Sequence, residues 1–317
     1  MPTESPIADT TSNPNIPASS DHATPTASKP TRSPIVRFLW STLRVSLIIA
    51  IILFFARTSG IAESLTFFHP GHPNYITPAG YQDISFQTSD GLTLRGWFIP
   101  ARTLNVTGPR PAVIHFHGNE GNVSQHIGFS ESLPDSGISV LIFDYRSYGK
   151  SDNGGRLLNR DKLLKDSRAA LKYLRTRTDV DQSRIGFLGV SLGGVYASAL
   201  AAENPDIKCC ALIAPFSSWQ GVGWDHARNL ATVLLPKGLD PRILMANYGK
   251  RPLLLIHGTE DRVVHPRHSP IIADAAKASG ATVQIINVPE AGHNDVLWVQ
   301  PNTIDQLEDF FKTTLIK

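Results

Sequence analysis

The 317-residue chain has room for one large α/β domain or two small ones, and its 41% apolar and 18% charged residues are ordinary for a globular protein. A net charge of +3, dispersed and partly gathered near the N-terminus, offers no footing for a nucleic-acid partner. Its two cysteines, Cys209 and Cys210, are adjacent in an apolar run, which excludes a disulfide framework or a zinc-ligand spacing and predicts small core residues.

Residues 1–34 are dominated by Pro, Ser, Thr, Ala and Asn, a composition that buries too little apolar surface to offset chain entropy and predicts a disordered tail. Residues 35–57 contain the apolar stretch Phe38 to Ala56. Its uninterrupted part, Val45 to Ala56, falls short of the roughly 20 residues that cross a bilayer. Including Phe38 to Leu43 reaches spanning length but encloses Arg44, whose long side chain can snorkel to the headgroups. Three readings compete: a transmembrane signal anchor, which is favoured; a signal peptide cleaved after Ala62 in "SGIAES"; and a buried helix of a soluble protein. Lys29, Arg32, Arg37 and Arg44 precede the apolar run and Arg57 alone follows it closely, so the positive-inside rule places the body outside the cytoplasm. The expectation is a single-pass, membrane-anchored protein with an extracytoplasmic catalytic domain, or a secreted one if cleavage occurs. Residues 58–80 read as linker and lead-in.

Residues 81–317 alternate short β-rich runs with helical stretches. "YQDISFQT" and "LTLRGWFIP" flank Ser89-Asp90-Gly91 and predict a hairpin. Six apolar runs follow: "PAVIHFHG", "SVLIFDYR", "RIGFLGV", "CCALIAPF", "PLLLIHG" and "VQIINVP". Helical stretches such as Asp161 to Arg177 and Pro266 to Ser279 lie between most of them, and "TIDQLEDFFKTTLI" has helical apolar spacing at the C-terminus. Such near-continuous apolar strands predict a mostly parallel sheet of about eight strands, covered by helices on both faces. Ligands of such sheets bind beyond the carboxyl ends of the strands, where His117-Gly118-Asn119, Asp144-Tyr145-Arg146, Ser191, Asp261 and His293 fall.

Six stretches, "DGLTLRGWFIP", "HFHGNEGN", "FDYRSYGKS", "GVSLGG", "HGTEDRVV" and "AGHND", together resemble the α/β-hydrolases, and most closely their ABHD-type branch with its many bacterial relatives. The resemblance runs from about Asn74 to the C-terminus, roughly three quarters of the chain. It implies an α/β-hydrolase fold with a short cap and a Ser191–Asp261–His293 triad in the chain order this fold uses. Each piece has a physical reason. A serine hydroxyl needs an adjacent base at neutral pH. Gly189 and Gly193 let the strand turn sharply into a helix, lifting Ser191 above the sheet. The helix beginning near Leu192 aims free N–H groups at the site, so the Leu192 N–H is one expected oxyanion donor and the Asn119 N–H the other.

His293 would take the Ser191 proton and later give it to the leaving group, with Asp261 fixing its tautomer. Glu260 and Asp295 are rival acids; the family pattern H-G-x-x-D-x-x-V, here His257 to Val264, favours Asp261. His115 and His257 close strands and His117 reads as structural, while His265 and His268 sit in a loop after the acid and read as solvated. Asp144 and Arg146 would brace the loop after the fourth strand by hydrogen bonds and an ion pair. The His115/His117 pair lacks a carboxylate at metal-site spacing, so no metal and no cofactor are expected.

The cap, 217–249, offers Trp219, Trp224, Leu234 and Leu235 to line an apolar acyl pocket. The expected activity is serine hydrolysis of carboxylic esters or thioesters through an acyl-enzyme, on a small-molecule or lipid-like acyl substrate. A peptidase or amidase of the same fold is the enzymatic alternative, and a noncatalytic hydrolase-like binding protein the non-enzymatic one.

Overall fold

The computed structural model describes residues 33–67, 75–102 and 107–316. The expected disordered tail therefore lies outside the described residues except for Ser33 and Pro34. The chain divides into two units, Met1–Ile48 and Ile49–Lys317, and the division falls within the first helix.

That helix, α1 (Pro34–Thr58), runs 25 residues with no buried side chain and a mean hydropathy of 2.2 in its most apolar window. At 1.5 Å per residue it is about 37 Å long, enough for a hydrocarbon layer of about 30 Å. Arg44 does not interrupt it. A short helix, α2 (Ile61–Ser64), follows Gly60, whose φ of 77° makes the bend.

Eight strands form one sheet in the order β1-β2-β4-β3-β5-β6-β7-β8. They are β1 (Gln82–Gln87), β2 (Thr93–Ile99), β3 (Arg110–Phe116), β4 (Ser139–Phe143), β5 (Val180–Val190), β6 (Cys209–Ile213), β7 (Pro252–Gly258) and β8 (Thr282–Val288). β2 runs antiparallel to both β1 and β4, and the pairs from β4 through β8 are parallel. This is the α/β-hydrolase architecture.

The strands alternate sides as a period of two requires. Ile114, Phe116, Leu253 and Leu255 enter one core, while Val113, Leu254 and Ile256 enter the other. The first core is covered by α4 (Arg160–Thr176), α5 (Gly193–Glu203) and α9 (His268–Ala278). The second is closed by α10 (Thr303–Leu315) through Leu307, Phe311 and Leu315. Cys209 and Cys210 face opposite cores, both fully buried, and burial pushes the Cys209 thiol up to about 12.

Smaller helices border the strand ends: α3 (Val123–His126), capped by the Asn122 side chain, and α6 (Trp219–Ala227), α7 (Asn229–Leu234) and α8 (Pro241–Leu244) in the cap. The described part of the 58–80 segment is more than a linker. Ser64 and Phe67 are buried, and Glu63 accepts hydrogen bonds from the Arg160 backbone N–H (3.0 Å) and Nε (2.7 Å). The mixed polar and apolar composition of that segment hides a contact made with residues nearly a hundred positions away.

Candidate active site

The turn after β5 is tight because nothing but glycine fits at two positions. A Cβ on Gly193 would lie 1.8 Å from the Phe116 carbonyl oxygen, and one on Gly189 would lie 2.7 Å from the Gly193 oxygen. Between them Ser191 adopts φ 51°, the left-handed region that costs a side chain about 1–2 kcal/mol. The Ser191 N–H donates to Ile213 O of β6 (2.8 Å) and its carbonyl accepts from Gly194 N–H (2.9 Å), so both neighbours hold the turn. Leu192 is the N-cap of α5.

The hydroxyl raised by this turn meets the loop after β8. His293 Nε2 lies 3.0 Å from Ser191 Oγ, and His293 Nδ1 lies 2.7 Å from Asp261 Oδ2. Asp261 follows β7 and is buried, while its neighbour Glu260 is exposed. Its Oδ1 accepts from the N–H groups of Val263 (2.9 Å) and Val264 (2.8 Å). Burial pushes the Asp261 carboxyl up, but hydrogen bonds from His257 and His293 and the Val264 N–H outweigh it and hold the group well below the usual carboxylate range. An ionised carboxylate only accepts, so His293 Nδ1 carries the proton and the Nε2 lone pair faces Ser191. That tautomer is the one a general base requires.

His257 adds a second restraint on the acid. Its Nε2 contacts Val264 O at 2.8 Å, so that nitrogen is the donor, and it lies 3.3 Å from Asp261 Oδ2. Its Nδ1 pairs with Ser269 Oγ at 2.7 Å. Asp295 braces the histidine loop by accepting from Gly292 N–H (2.7 Å).

Ser191, Leu192 and His293 open into a predominantly apolar cavity of about 640 Å³, within the range of about 300–1,000 Å³ typical of ligand sites. Asn119, after β3, also lines it. The Asn119 side chain is committed elsewhere: Nδ2 donates to Thr66 O (2.7 Å) and Oδ1 accepts from Tyr148 OH (2.9 Å). Its side chain thus holds the loop in place beside the cavity. The N-terminus of α5 adds its positive dipole end at the same place.

Residues 130–316 match the prolyl oligopeptidase family. The chain belongs to the prolyl oligopeptidase family. The protein YfhR of Salmonella typhi, itself described only as uncharacterized, is 31% identical over 248 residues, 72% of this chain and 80% of YfhR. A thiohydrolase of Eupenicillium brefeldianum is 37% identical over 146 residues, 44% of each chain. Among solved structures, an esterase of Pyrococcus furiosus superposes with a TM-score of 0.65 at 22% identity, covering 78% of this chain and 98% of the esterase. Fold, family and relatives together make this chain a serine hydrolase of the α/β-hydrolase superfamily.

Within that family assignment the cap differs from expectation at one position. Trp219, Leu234 and Leu235 line the cavity, but Trp224 does not. The lining residues of α6 are Trp219, Val222, Gly223, His226 and Ala227, a helical face at spacings of three and four, and Trp224 falls off it. Trp224 stacks instead beneath the Arg228 guanidinium, 5.9 Å from the ring centre.

His268, expected to be solvated, is buried at the start of α9. Its Nδ1 pairs with Ser217 Oγ (2.8 Å) and its Nε2 with Asp225 Oδ2 (3.0 Å), which ties α6 of the cap to α9. Asp144 and Arg146 brace their loop as expected. Asp144 accepts from Val123 N–H (2.9 Å), Lys150 N–H (3.0 Å) and the Tyr75 hydroxyl, and Arg146 pairs with Asp166 (2.7 Å) and Asp90 (2.9 Å).

Two parts of the cavity wall had no signal in the sequence. His126 of α3 lines the cavity, its Nε2 held by Glu120 O at 2.6 Å and its ring stacked on His117 at 5.3 Å. Ala56 at the end of α1, with Ile61, Ala62 and Leu65 after it, also belongs to the cavity wall.

Proposed function

We propose that this protein cleaves carboxylic ester or thioester bonds through Ser191, His293 and Asp261. In this mechanism Ser191 Oγ attacks the acyl carbon while His293 Nε2 takes its proton. The developing oxyanion is met by the N–H groups of Leu192 and Asn119. His293 then delivers the proton to the leaving alcohol or thiol, and water cleaves the acyl-enzyme by the same route. Asp261 stays ionised throughout, keeps the Nδ1 tautomer and stabilises the imidazolium. The observation that carries this reading is the 3.0 Å and 2.7 Å chain from Ser191 through His293 to Asp261, opening into an apolar cavity.

Trp219, Leu234 and Leu235 are assigned to the acyl-binding wall. The "HFHGNEGN" loop and the "GVSLGG" turn favour the ABHD-type branch. We also assign α1 as a signal anchor rather than a cleaved signal, with the catalytic body extracytoplasmic. Cleavage after Ala62 would divide α2 and remove Ala56, Ile61 and Ala62 from the cavity wall.

The family match supports a second reading, hydrolysis of an amide or peptide bond. A panel of 4-nitrophenyl acyl esters, acyl thioesters and aminoacyl anilides separates the two, with Ser191→Ala as the blank. Turnover of esters or thioesters that vanishes in Ser191→Ala, with the anilides slower by at least a hundredfold, is expected. A preference for the anilides moves the assignment to the peptidase reading.

A further inference from the structure

From the wall of the cavity we infer that the substrate is a membrane lipid whose acyl chain passes from the bilayer into the site along the segment that follows α1. The inference rests on the hydrolase reading above and adds the source and class of the substrate. Four residues of that segment beyond Thr58, namely Ile61, Ala62, Leu65 and Thr66, line the same cavity as Ser191, and so does Ala56 of α1 itself. The last turn of the membrane-type helix therefore itself borders the site.

This wall is built, not draped. The Arg57 guanidinium donates to Val233 O of α7 (2.6 Å), and Ser64 Oγ accepts from Leu158 N–H (3.0 Å). Arg160 links three parts of it: Nε donates to Glu63 (2.7 Å), Nη1 donates to Pro236 O (3.0 Å) and Gly238 O (2.8 Å) of the cap, and the guanidinium lies 4.4 Å over Trp219. Phe67 packs on Trp219 with ring centres 5.7 Å apart. Thr66 O holds the Asn119 side chain, so the same strap that forms the wall also fixes the loop expected to supply an oxyanion donor.

The rim shows which way the cavity faces. Ile61 (41% exposed), Leu65 (74%), Leu230 (48%) and Val263 (50%) all line the cavity and are also exposed to solvent. Phe54 and Phe55, the last large apolar residues of α1, are 69% and 64% exposed. Large apolar side chains left in water around an apolar opening mark a surface that meets another apolar phase. The helix that leads into this rim is long and apolar enough to lie in a bilayer, so the phase nearest the opening is that bilayer. A lipid acyl chain can then move from one apolar environment to the other without crossing water, while its ester carbonyl stops at Ser191. The products are a fatty acid and the deacylated lipid, one water consumed per ester cleaved.

The test uses the full chain reconstituted in dioleoylphosphatidylcholine vesicles containing dioleoylglycerol, with 4-nitrophenyl butyrate as the soluble reference ester and fluorophosphonate labelling as the check on Ser191. Oleate release from either lipid is expected, and the ratio of oleate release to butyrate hydrolysis should fall at least tenfold in Ala62→Phe, which fills the wall. Leu65→Asp, at an exposed rim position that does not tax folding, should lower the same ratio at least tenfold. No oleate release from a chain that hydrolyses 4-nitrophenyl butyrate overturns the inference and leaves the hydrolase reading standing. So does a ratio unchanged in both variants, or faster turnover of a water-soluble S-palmitoyl peptide than of the lipids. A folded chain that neither labels nor hydrolyses any of the esters removes the hydrolase reading, and this inference with it.

Discussion

Replacing Asp261 with Asn tests the site at the level of single protons. The Asp261 carboxylate accepts from four donors: Val263 N–H and Val264 N–H on Oδ1, with His293 Nδ1 (2.7 Å) and His257 Nε2 (3.3 Å) on Oδ2. An Asn side chain keeps its oxygen toward the two backbone donors and turns its NH2 toward the two histidines. His257 Nε2 is fixed as a donor by Val264 O, so the NH2 meets a like group there. His293 must present a lone pair on Nδ1 to pair with the NH2, which moves its proton to Nε2, facing Ser191. The base is then in the wrong tautomer while the shape of the site is kept. In the Ser-His-Asp template the corresponding change lowers kcat by about 10⁴, or ~5.4 kcal/mol of transition-state stabilisation. A comparable fall in kcat on a 4-nitrophenyl ester, with Tm shifted by no more than a few degrees, is the expected outcome. A loss under tenfold in a folded Asp261→Asn chain would refute the tautomer argument.

Three further outcomes follow from the packing. Gly193→Ala would drive a methyl into the Phe116 carbonyl at 1.8 Å, so the variant should accumulate poorly or lose labelling of Ser191; normal yield and labelling would show that the turn can open. Asp166→Asn removes the fully buried partner of Arg146 and should cost about 3–5 kcal/mol in denaturant unfolding, whereas Asp90→Asn, at the solvent-facing end of the same guanidinium, should cost far less. Equal losses would mean the buried pair is not the stronger link. Burial keeps His115 and His117 neutral, well below 6.5, with repulsion from His126 adding to it, and burial also lowers His126 and His268. Below about pH 6.5 the unfolded chain binds protons on these groups more readily than the fold does, so their contribution is full above that pH and is lost as pH falls, at about 1.4 kcal/mol per pH unit for each histidine that stays neutral. Tm in detergent should drop between pH 7 and 5.5, and a flat profile contradicts the neutral assignment.

Much of this arrangement is readable in the sequence because it rests on local signals. The apolar runs that became β3, β4, β6 and β7 are buried on both faces, which leaves no polar alternation to misread, and Ser191, Asp261 and His293 fall at strand ends by chain order alone. What escaped depends on how segments turn and fold against one another. His268 follows the acid closely and reads as loop, but the helix it begins turns it inward to Ser217 and Asp225. Trp224 sits one step off the cavity face of α6, a difference of rotation that composition cannot reveal. The segment after α1 looks like a connector until Arg160 and Asn119, distant in sequence, are seen to fasten it over the site. His257 is legible as a strand-closing residue, yet its contact with Asp261 appears only when the loop after β7 folds back.

The claim on which everything else depends is that Ser191 is the nucleophile. Fluorophosphonate treatment of the full chain in detergent, followed by peptide mapping by mass spectrometry, tests it directly. The adduct should sit on the peptide carrying Ser191, form more slowly in the presence of a competing acyl ester, and be absent from His293→Ala. An adduct on another serine, Ser217 beside His268 being the nearest in kind, or no adduct on a folded chain, would contradict it.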